Sequence, residues 1–397
     1  MDGIVIIGSS AAGVSAAREI RSIDPKLKVT IISEDSDYPY YRPFLTEFIG
    51  NSDVQSKSNF FLNSASWYAQ NNIELVLNER ITEIRHEEKR VVSSSGKSYG
   101  YDKLIIATGS SPFVPIKGAL DFENVFTVRS FSDAKKVFGF SNSVKNAIII
   151  GGGPLGLEAA YSLHKKGMSV SIVELSKRLL ALQLDPEGSD FFHAIIKKAG
   201  VNILLGESVD EIIGNSIATG VKLSSGRTLD TEMIIFSIGV RSNLDLPMSS
   251  GIKVDRAVIV NEKMETSVPH VYACGDVSQF NGRCIALWMP AVKKGKIAGS
   301  NAAGKEMLYT DEIYPAVLNS FDTRLFSYGD VSCDEKNSDE KTYKSIEVEK
   351  NIFRKLFFKN EILKGFILIN DNSPSQKLTL AVKEKKRYDD VVNVMIK

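Results

Sequence analysis

Ile4-Val5-Ile6-Ile7-Gly8-Ser9-Ser10-Ala11-Ala12-Gly13 and Ala147-Ile148-Ile149-Ile150-Gly151-Gly152-Gly153-Pro154-Leu155-Gly156 are two versions of one pattern. Each is a short apolar strand, a small-residue turn and the start of a helix. The first helix runs from Val14 to about Arg21, and the second opens with Leu157-Glu158-Ala159-Ala160-Tyr161. In such a turn the first glycine permits the bend, the second lets backbone approach a pyrophosphate, and the third lets helix pack on strand. The helix N-terminus offers free N–H groups and a positive dipole end to the phosphates. Gly8 and Gly151 lie 143 positions apart, one domain's worth of chain. The sequence therefore predicts an α/β fold with two dinucleotide-binding units.

Further along, each unit reaches a second strand that ends in an acid. Val29-Thr30-Ile31-Ile32-Ser33 leads to Glu34, and Val170-Ser171-Ile172-Val173 leads to Glu174. The acids follow Gly13 and Gly156 by 21 and 18 residues, near the spacing of about 20 at which a carboxylate meets adenosine ribose hydroxyls. A carboxylate at Glu174 would repel the 2′-phosphate of NADP, so NADH is the expected cofactor. The first turn departs from the pattern, because Ser10 replaces the middle glycine. Its hydroxyl can itself donate to a phosphate, so Gly8, Ser10, Ala12 and Gly13 are still expected to form a nucleotide turn. In the second turn Gly151, Gly153 and Gly156 are all present.

Composition narrows the class. The 397 residues are 43% hydrophobic and 24% charged, with a net charge of +1, so nothing global favours nucleic acid or an anionic membrane. No basic region precedes the first apolar run, and no apolar run approaches the roughly 20 residues of a membrane helix. The chain reads as cytoplasmic. Cys274, Cys284 and Cys333 form no CxxC or CxxxxC pair, and His86, His164, His193 and His270 are scattered, so no metal site is expected.

Three more segments bear on the first site. Tyr101–Ile106 is a strand ending in Ala107-Thr108-Gly109; Met233–Gly239 echoes it; and a strand through Val271-Tyr272-Ala273 ends in Cys274-Gly275-Asp276. These motifs resemble the two-dinucleotide flavoprotein reductases of the glutathione-reductase superfamily over roughly residues 1–330. That resemblance implies FAD at the first turn and NAD at the second, with Ala-Thr-Gly marking a crossing between domains. It implies that Asp276 binds the ribityl chain of FAD, that Arg42 contacts its pyrophosphate, and that Ile81 meets its adenine through backbone. Glu158 would lie near the flavin–nicotinamide contact, its alternative being charge compensation at the helix start. The expected domains are 1–112 with 240–312 for FAD, 113–239 for NAD, and a C-terminal α+β domain at 313–397. In that last domain Arg324–Tyr328, Ile352–Phe358 and Ile362–Ile369 read as strands. The charged tract 334–341 reads as a solvated loop.

The acceptor is read from the segment after Glu34. Relatives with thiol chemistry carry cysteine there, where this chain has Ser36, so a thiol at the flavin is excluded. Tyr40-Tyr41-Arg42-Pro43 and, later, Gln183-Leu184-Asp185 resemble rubredoxin and ferredoxin reductases and the flavin module of assimilatory nitrite reductase. Glu47 stands where ferredoxin reductases often have lysine, which favours rubredoxin. Ala286–Pro290 precedes a helix that the resemblance points at the flavin, with Trp288 either lining the ring or simply packing and Lys293, Lys294 and Lys296 as a candidate basic docking face. The expected activity is electron transfer from NADH through FAD to a one-electron iron protein, rubredoxin favoured. An NADH oxidase, a nitrite-reductase-like flavin module and a slow redox-dependent interaction module stay open.

Overall fold

A computed structural model describes residues 2–333 and 337–395. Strand Ile4–Ile7 lies at the centre of a five-stranded parallel sheet. Val29–Ile32 and then Ile73–Val76 flank it on one side, Lys103–Ile106 and Val271–Ala273 on the other. Every residue of the first two strands is buried, which is why they read as runs without polar alternation. Helix α1, Ala11–Ile23, follows the first strand. It begins before Val14, because Ser10 takes the extended N-cap conformation and Gly13 fits inside the first turn.

The second unit repeats this plan. Asn146–Ile150 pairs with Ser169–Glu174 and Ile234–Phe236, and Asn202–Leu205 and Val125–Thr127 complete a second five-stranded parallel sheet. The two turns bend for the same reason. Gly8 has φ +109° and Gly151 φ +118°, and a β-carbon would lie 2.2 Å from the Ala107 carbonyl oxygen or 2.3 Å from that of Ser237. The chain passes between the sheets at one place, where Ser110–Pro112 and Val240–Ser242 pair antiparallel.

Segment 40–60 leaves the first unit and packs on the second. Its short helix α2, Leu45–Phe48, joins Tyr40 and Phe60 in a core shared with α3, Phe131–Phe140, and α4, Pro154–Lys165. Phe48 and Phe60 each bring their rings within 4.9 Å of Phe131. Helix α5, Pro186–Lys198, closes the second unit. Helix α6, Trp288–Ala302, returns to the first. A β-carbon at Gly295 or Gly299 would come within 2.4 Å of backbone oxygens of Ala12 and Ala16, so α6 and α1 touch backbone to backbone.

The C-terminal part is an antiparallel sheet in the order Ala316–Ser320, Thr323–Gly329, Ile362–Ile369, Ile352–Lys359, Glu340–Glu347. Phe353, Phe357 and Ile367 face Phe192 and Ile196 of α5. Leu356, Phe366 and Leu368 face Leu378 and Val391 of α7, Ser375–Lys383, and α8, Tyr388–Met395. Burial on both faces explains the strongly apolar strands. The tract 334–341 is not all loop: residues 334–336 lie outside the described residues, and Glu340 and Lys341 begin the edge strand. Asp185 caps α5 by accepting from Gly188 N, and its other oxygen accepts from buried Lys355 at 2.7 Å. The Gln183-Leu184-Asp185 run thus anchors the C-terminal sheet to α5. Among the described residues no helix is long and apolar enough to cross a membrane.

Candidate cofactor sites

The turn at Gly8 opens onto a cavity of about 330 Å³. Gly8 and Ser10 line it from the turn, and Ala107, Thr108 and Gly109 from the end of the neighbouring strand. Glu34 contributes from the loop after Val29–Ile32, Arg42 from the start of segment 42–44, and Ile81 from the first residue of a strand in the adjoining small sheet. Sequence motifs scattered over a hundred positions therefore meet in one place.

Two buried polar atoms of this lining, Arg42 Nε and Thr108 Oγ1, have no hydrogen-bond partner within the protein. A buried donor left unsatisfied costs about 1–3 kcal/mol, so this arrangement fits a ligand rich in acceptors. Ser10 has φ −85° and ψ −162° and its hydroxyl makes no capping bond. Gly153 at the matching position has φ −80° and ψ 178°. The two conformations are alike and need no glycine, so serine is accommodated without backbone strain. Ala12 does not line the cavity; it lies beneath α6. Gly13 does not line it either; it packs on the turn, where a β-carbon would be 1.9 Å from the Gly8 oxygen.

Asp276 follows strand Val271–Ala273, and its carboxylate accepts from Ser110 Oγ at 2.8 Å and from Arg129 Nη2 at 2.6 Å. Arg129 also donates through Nε to the Ser110 carbonyl at 2.9 Å, and both residues line the cavity. Burial, then the charge of nearby Arg42, pulls the Arg129 guanidinium below its ordinary value, while Asp276 opposes them. Sequence reasoning missed Arg129, Ser110 and the cavity residue Asn243, whose Nδ2 donates to the Thr108 carbonyl. The available signals were weak: Ser110 follows Ala-Thr-Gly, and Arg129 precedes the Ser130–Asp133 capping box of α3.

At the second turn Gly151 and Gly156 make the same close contact as Gly8 and Gly13, with a β-carbon at Gly156 only 2.0 Å from the Gly151 oxygen. The Glu174 carboxylate accepts from Gly152 N and Ser176 N, both at 2.6 Å. The two acids read from the sequence are not in register. Ile7 pairs with Ile32 and Ile150 with Val173, so the counterpart of Glu174 is Ser33. Accordingly Ser33 Oγ accepts from Asp35 N, two residues on, as Glu174 does from Ser176. Glu34 lies one residue further, exposed, at the cavity and 3.8 Å from Arg80.

Glu158 is not in the first turn of α4, so it does not compensate the helix end. Its Oε2 accepts from Thr46 Oγ1 of α2 at 2.8 Å, across the contact between the two units. Burial pushes this carboxyl up to about 7; the Thr46 hydroxyl pulls it back and Glu47 adds to the rise. Glu47 is itself held by Lys57, with both oxygens at 2.8 Å.

Other expectations need correction. Ser36 is exposed and does not line the cavity, and Thr46 is the residue whose side chain bonds Glu158 of α4. Cys274 is fully buried, which pushes its thiol up to about 12. Trp288 is the first residue of α6, ahead of Pro290, and meets Tyr41 edge-on at 4.8 Å. The basic docking face does not form. Lys294 is 1% exposed and donates to the Ser278 carbonyl, Lys293 pairs with Glu312 at 2.7 Å, and Lys296 lies 3.9 Å from Glu19.

Residues 2–295 match the family model described as pyridine nucleotide-disulphide oxidoreductase, and residues 315–386 the one described as rubredoxin NAD+ reductase C-terminal domain. The chain is 30% identical to a nitrite reductase [NAD(P)H] of Bacillus subtilis over 99% of its length but 48% of that protein's. It spans about half the length of the first curated relatives it matches. With the NADH-rubredoxin oxidoreductase of Clostridium acetobutylicum it is 31% identical over 98% of this chain and 96% of the other. The crystal structure of NADH:rubredoxin oxidoreductase from that organism superposes with a TM-score of 0.79 over 98% and 97% of the two chains. A ferredoxin reductase from Rhodopseudomonas palustris, 23% identical over 98% and 96%, shares the fold with a TM-score of 0.88.

Proposed function

The chain belongs to the pyridine nucleotide-disulphide oxidoreductase family, and from that premise we propose that it carries electrons from NADH to a small one-electron iron protein, with rubredoxin the favoured acceptor. The family uses FAD and NAD(P)H. Bound FAD supplies the redox chemistry, accepting a hydride's two electrons and able to release them singly. The protein's part is orientation and electrostatics.

In this reading the cavity at Gly8 is the FAD site. Arg42 Nε, Thr108 Oγ1 and the Ser10 hydroxyl are donors for the pyrophosphate, with the α1 N-terminus behind them. Arg129 adds a second guanidinium and fixes Asp276 for the ribityl chain. Glu34 takes ribose hydroxyls, Ile81 the adenine edge, and Ala107, Thr108 and Gly109 flank the isoalloxazine end. Gly151, Gly153 and Gly156 set the pyrophosphate of NADH at the N-terminus of α4, Glu174 takes its adenosine ribose, and Glu158 faces its nicotinamide half. The domain limits stay as read from the sequence: 1–112 with 240–312, 113–239 and 313–397. A cytoplasmic setting belongs to the same reading.

The observation that carries the acceptor is the C-terminal sheet, whose residues 315–386 match the rubredoxin NAD+ reductase C-terminal domain. The end-to-end likeness to an NADH-rubredoxin oxidoreductase supports it. Likeness to half of a nitrite reductase favours a second reading, a flavin module feeding a further redox unit. Steady-state NADH oxidation with rubredoxin, ferredoxin and oxygen side by side tests the choice. Rubredoxin should be fastest, and a faster rate with oxygen or ferredoxin would overturn it.

A further inference from the structure

We propose that Glu158 couples a proton to the charge of the bound nicotinamide, keeping the proton beside a neutral reduced ring and releasing it to solvent when the positively charged ring of NAD+ binds. The inference rests on the NADH site proposed above. Glu158 stands just beyond the glycine turn that would hold the pyrophosphate, on the helix that starts there. If the adenosine half runs toward Glu174, the nicotinamide half runs the other way, toward the first unit. Helix α4 meets that unit at α2, where Thr46 holds the Glu158 carboxyl.

The surroundings of this carboxyl leave its charge uncompensated. From α2 it receives one hydroxyl donor, Thr46, which is 6% exposed. The other polar group on α2 is Glu47, an anion whose charge is matched by Lys57. On α4 itself the next titratable group, Tyr161, bonds to Asp322 at the turn of the C-terminal hairpin. That hairpin reaches α4 through Ser320, a neutral donor to the Leu157 carbonyl. No cation acts on Glu158 among the described residues. A carboxyl placed so holds its proton near neutral pH, and the counter-charge that would make it ionise is the one the oxidised ring carries. An opposite charge within about 4–6 Å lowers a carboxyl's pKa by roughly 1–3 units. A neutral ring has no such effect.

The test is equilibrium binding to the FAD-loaded enzyme, with NAD+ and with tetrahydro-NAD, whose ring is neutral and gives no hydride. Between pH 6 and pH 8 the affinity for NAD+ should rise about tenfold, following ionisation of a group near 7 that the ligand stabilises. Calorimetry at pH 7 in two buffers of different ionisation enthalpy should show release of about half a proton per NAD+. Tetrahydro-NAD should show neither effect. Glu158→Gln should bind NAD+ with a flat pH profile and no proton release. Thr46→Val, which removes the donor to the carboxylate, should move the NAD+ profile to higher pH. A flat NAD+ profile in the wild type, an unchanged slope in Glu158→Gln, or an equal slope with tetrahydro-NAD would overturn the proposal. If neither nucleotide binds an enzyme that retains FAD, the NADH-site reading fails and this proposal falls with it.

Discussion

Glu174 does two things with one carboxylate. It closes the glycine turn through Gly152 N and Ser176 N, and in the proposed NADH site it would set a negative charge where an extra phosphate distinguishes NADPH from NADH. Glu174→Arg should therefore raise the ratio of kcat/KM for NADPH to that for NADH by about tenfold or more, one unit of 1.4 kcal/mol in differential binding. It should also weaken both cofactors, because the turn loses its brace. An unchanged ratio, measured by steady-state kinetics, would remove Glu174 from the specificity reading. Glu158 gives a second prediction, on stability. Its folded-state pKa of about 7 lies above the ordinary value of 4.5, so the folded state binds the extra proton between those limits. Stability is then full below about pH 4.5 and is lost as pH rises through 7, by an amount on the order of 3 kcal/mol. Glu158→Gln should lack this component, so urea midpoints at pH 5 and pH 8 should differ less in the variant than in the wild type. The glycine turns and the acid at Glu174 were legible in the sequence because each answers to a local pattern, and Arg42 through the family resemblance. Thr46, Arg129 and Ser110 were not, since their partners Glu158 and Asp276 lie more than a hundred positions away.

Among the elements, the inner parallel strands were readable because they are buried and carry unbroken branched residues, whereas the partly exposed edge strands Ile73–Val76, Val125–Thr127 and Asn202–Leu205 were not. The edge strand Glu340–Glu347 was not, as its alternating burial and many charges look like a loop. Nor could the pattern reveal that segment 40–60 would pack on the second unit, a contact made of rings from Tyr40, Phe48, Phe60 and Phe131. The equivalence of Ser33, not Glu34, to Glu174 was also hidden, because a spacing near 20 residues tolerates a slip of one or two. The C-terminal sheet supplies the prediction at this scale. Lys355 is 7% exposed and bonds Asp185 and Glu187 at 2.7 and 2.9 Å. Removing one partner of a buried pair typically costs about 3–5 kcal/mol, and Asp185 is also the cap of α5. Lys355→Ala should lower the unfolding free energy read from urea titration by that order, whereas exposed Lys350→Ala should cost little. Equal effects of the two substitutions would show that the buried pair does not anchor the sheet.

For the molecule as a whole, the sequence suggested a basic face on α6 to steer an iron carrier, and the fold removes it. Lys294 is turned into the protein, and Lys293 and Lys296 face Glu312 and Glu19. The chain as a whole carries a net charge of only +1. Long-range steering needs a patch of one sign, and its rate advantage falls as the Debye length shortens from about 30 Å at 0.01 M to about 8 Å at 0.15 M salt. Without such a patch on α6 the encounter should depend on short-range fit. Acceptor reduction, followed by stopped flow across that range of salt, should therefore change by less than about threefold, where steered pairs lose tenfold or more. Reduction by NADH in the same experiments should change even less, since the glycine turn and helix end act at contact. Lys293→Ala should leave the acceptor rate within twofold, because its charge is already matched. A tenfold fall with salt would mean that a charged docking face exists elsewhere on the surface. If the fall disappeared in the Lys293→Ala variant, it would mean that the Lys293–Glu312 pair opens when the carrier arrives.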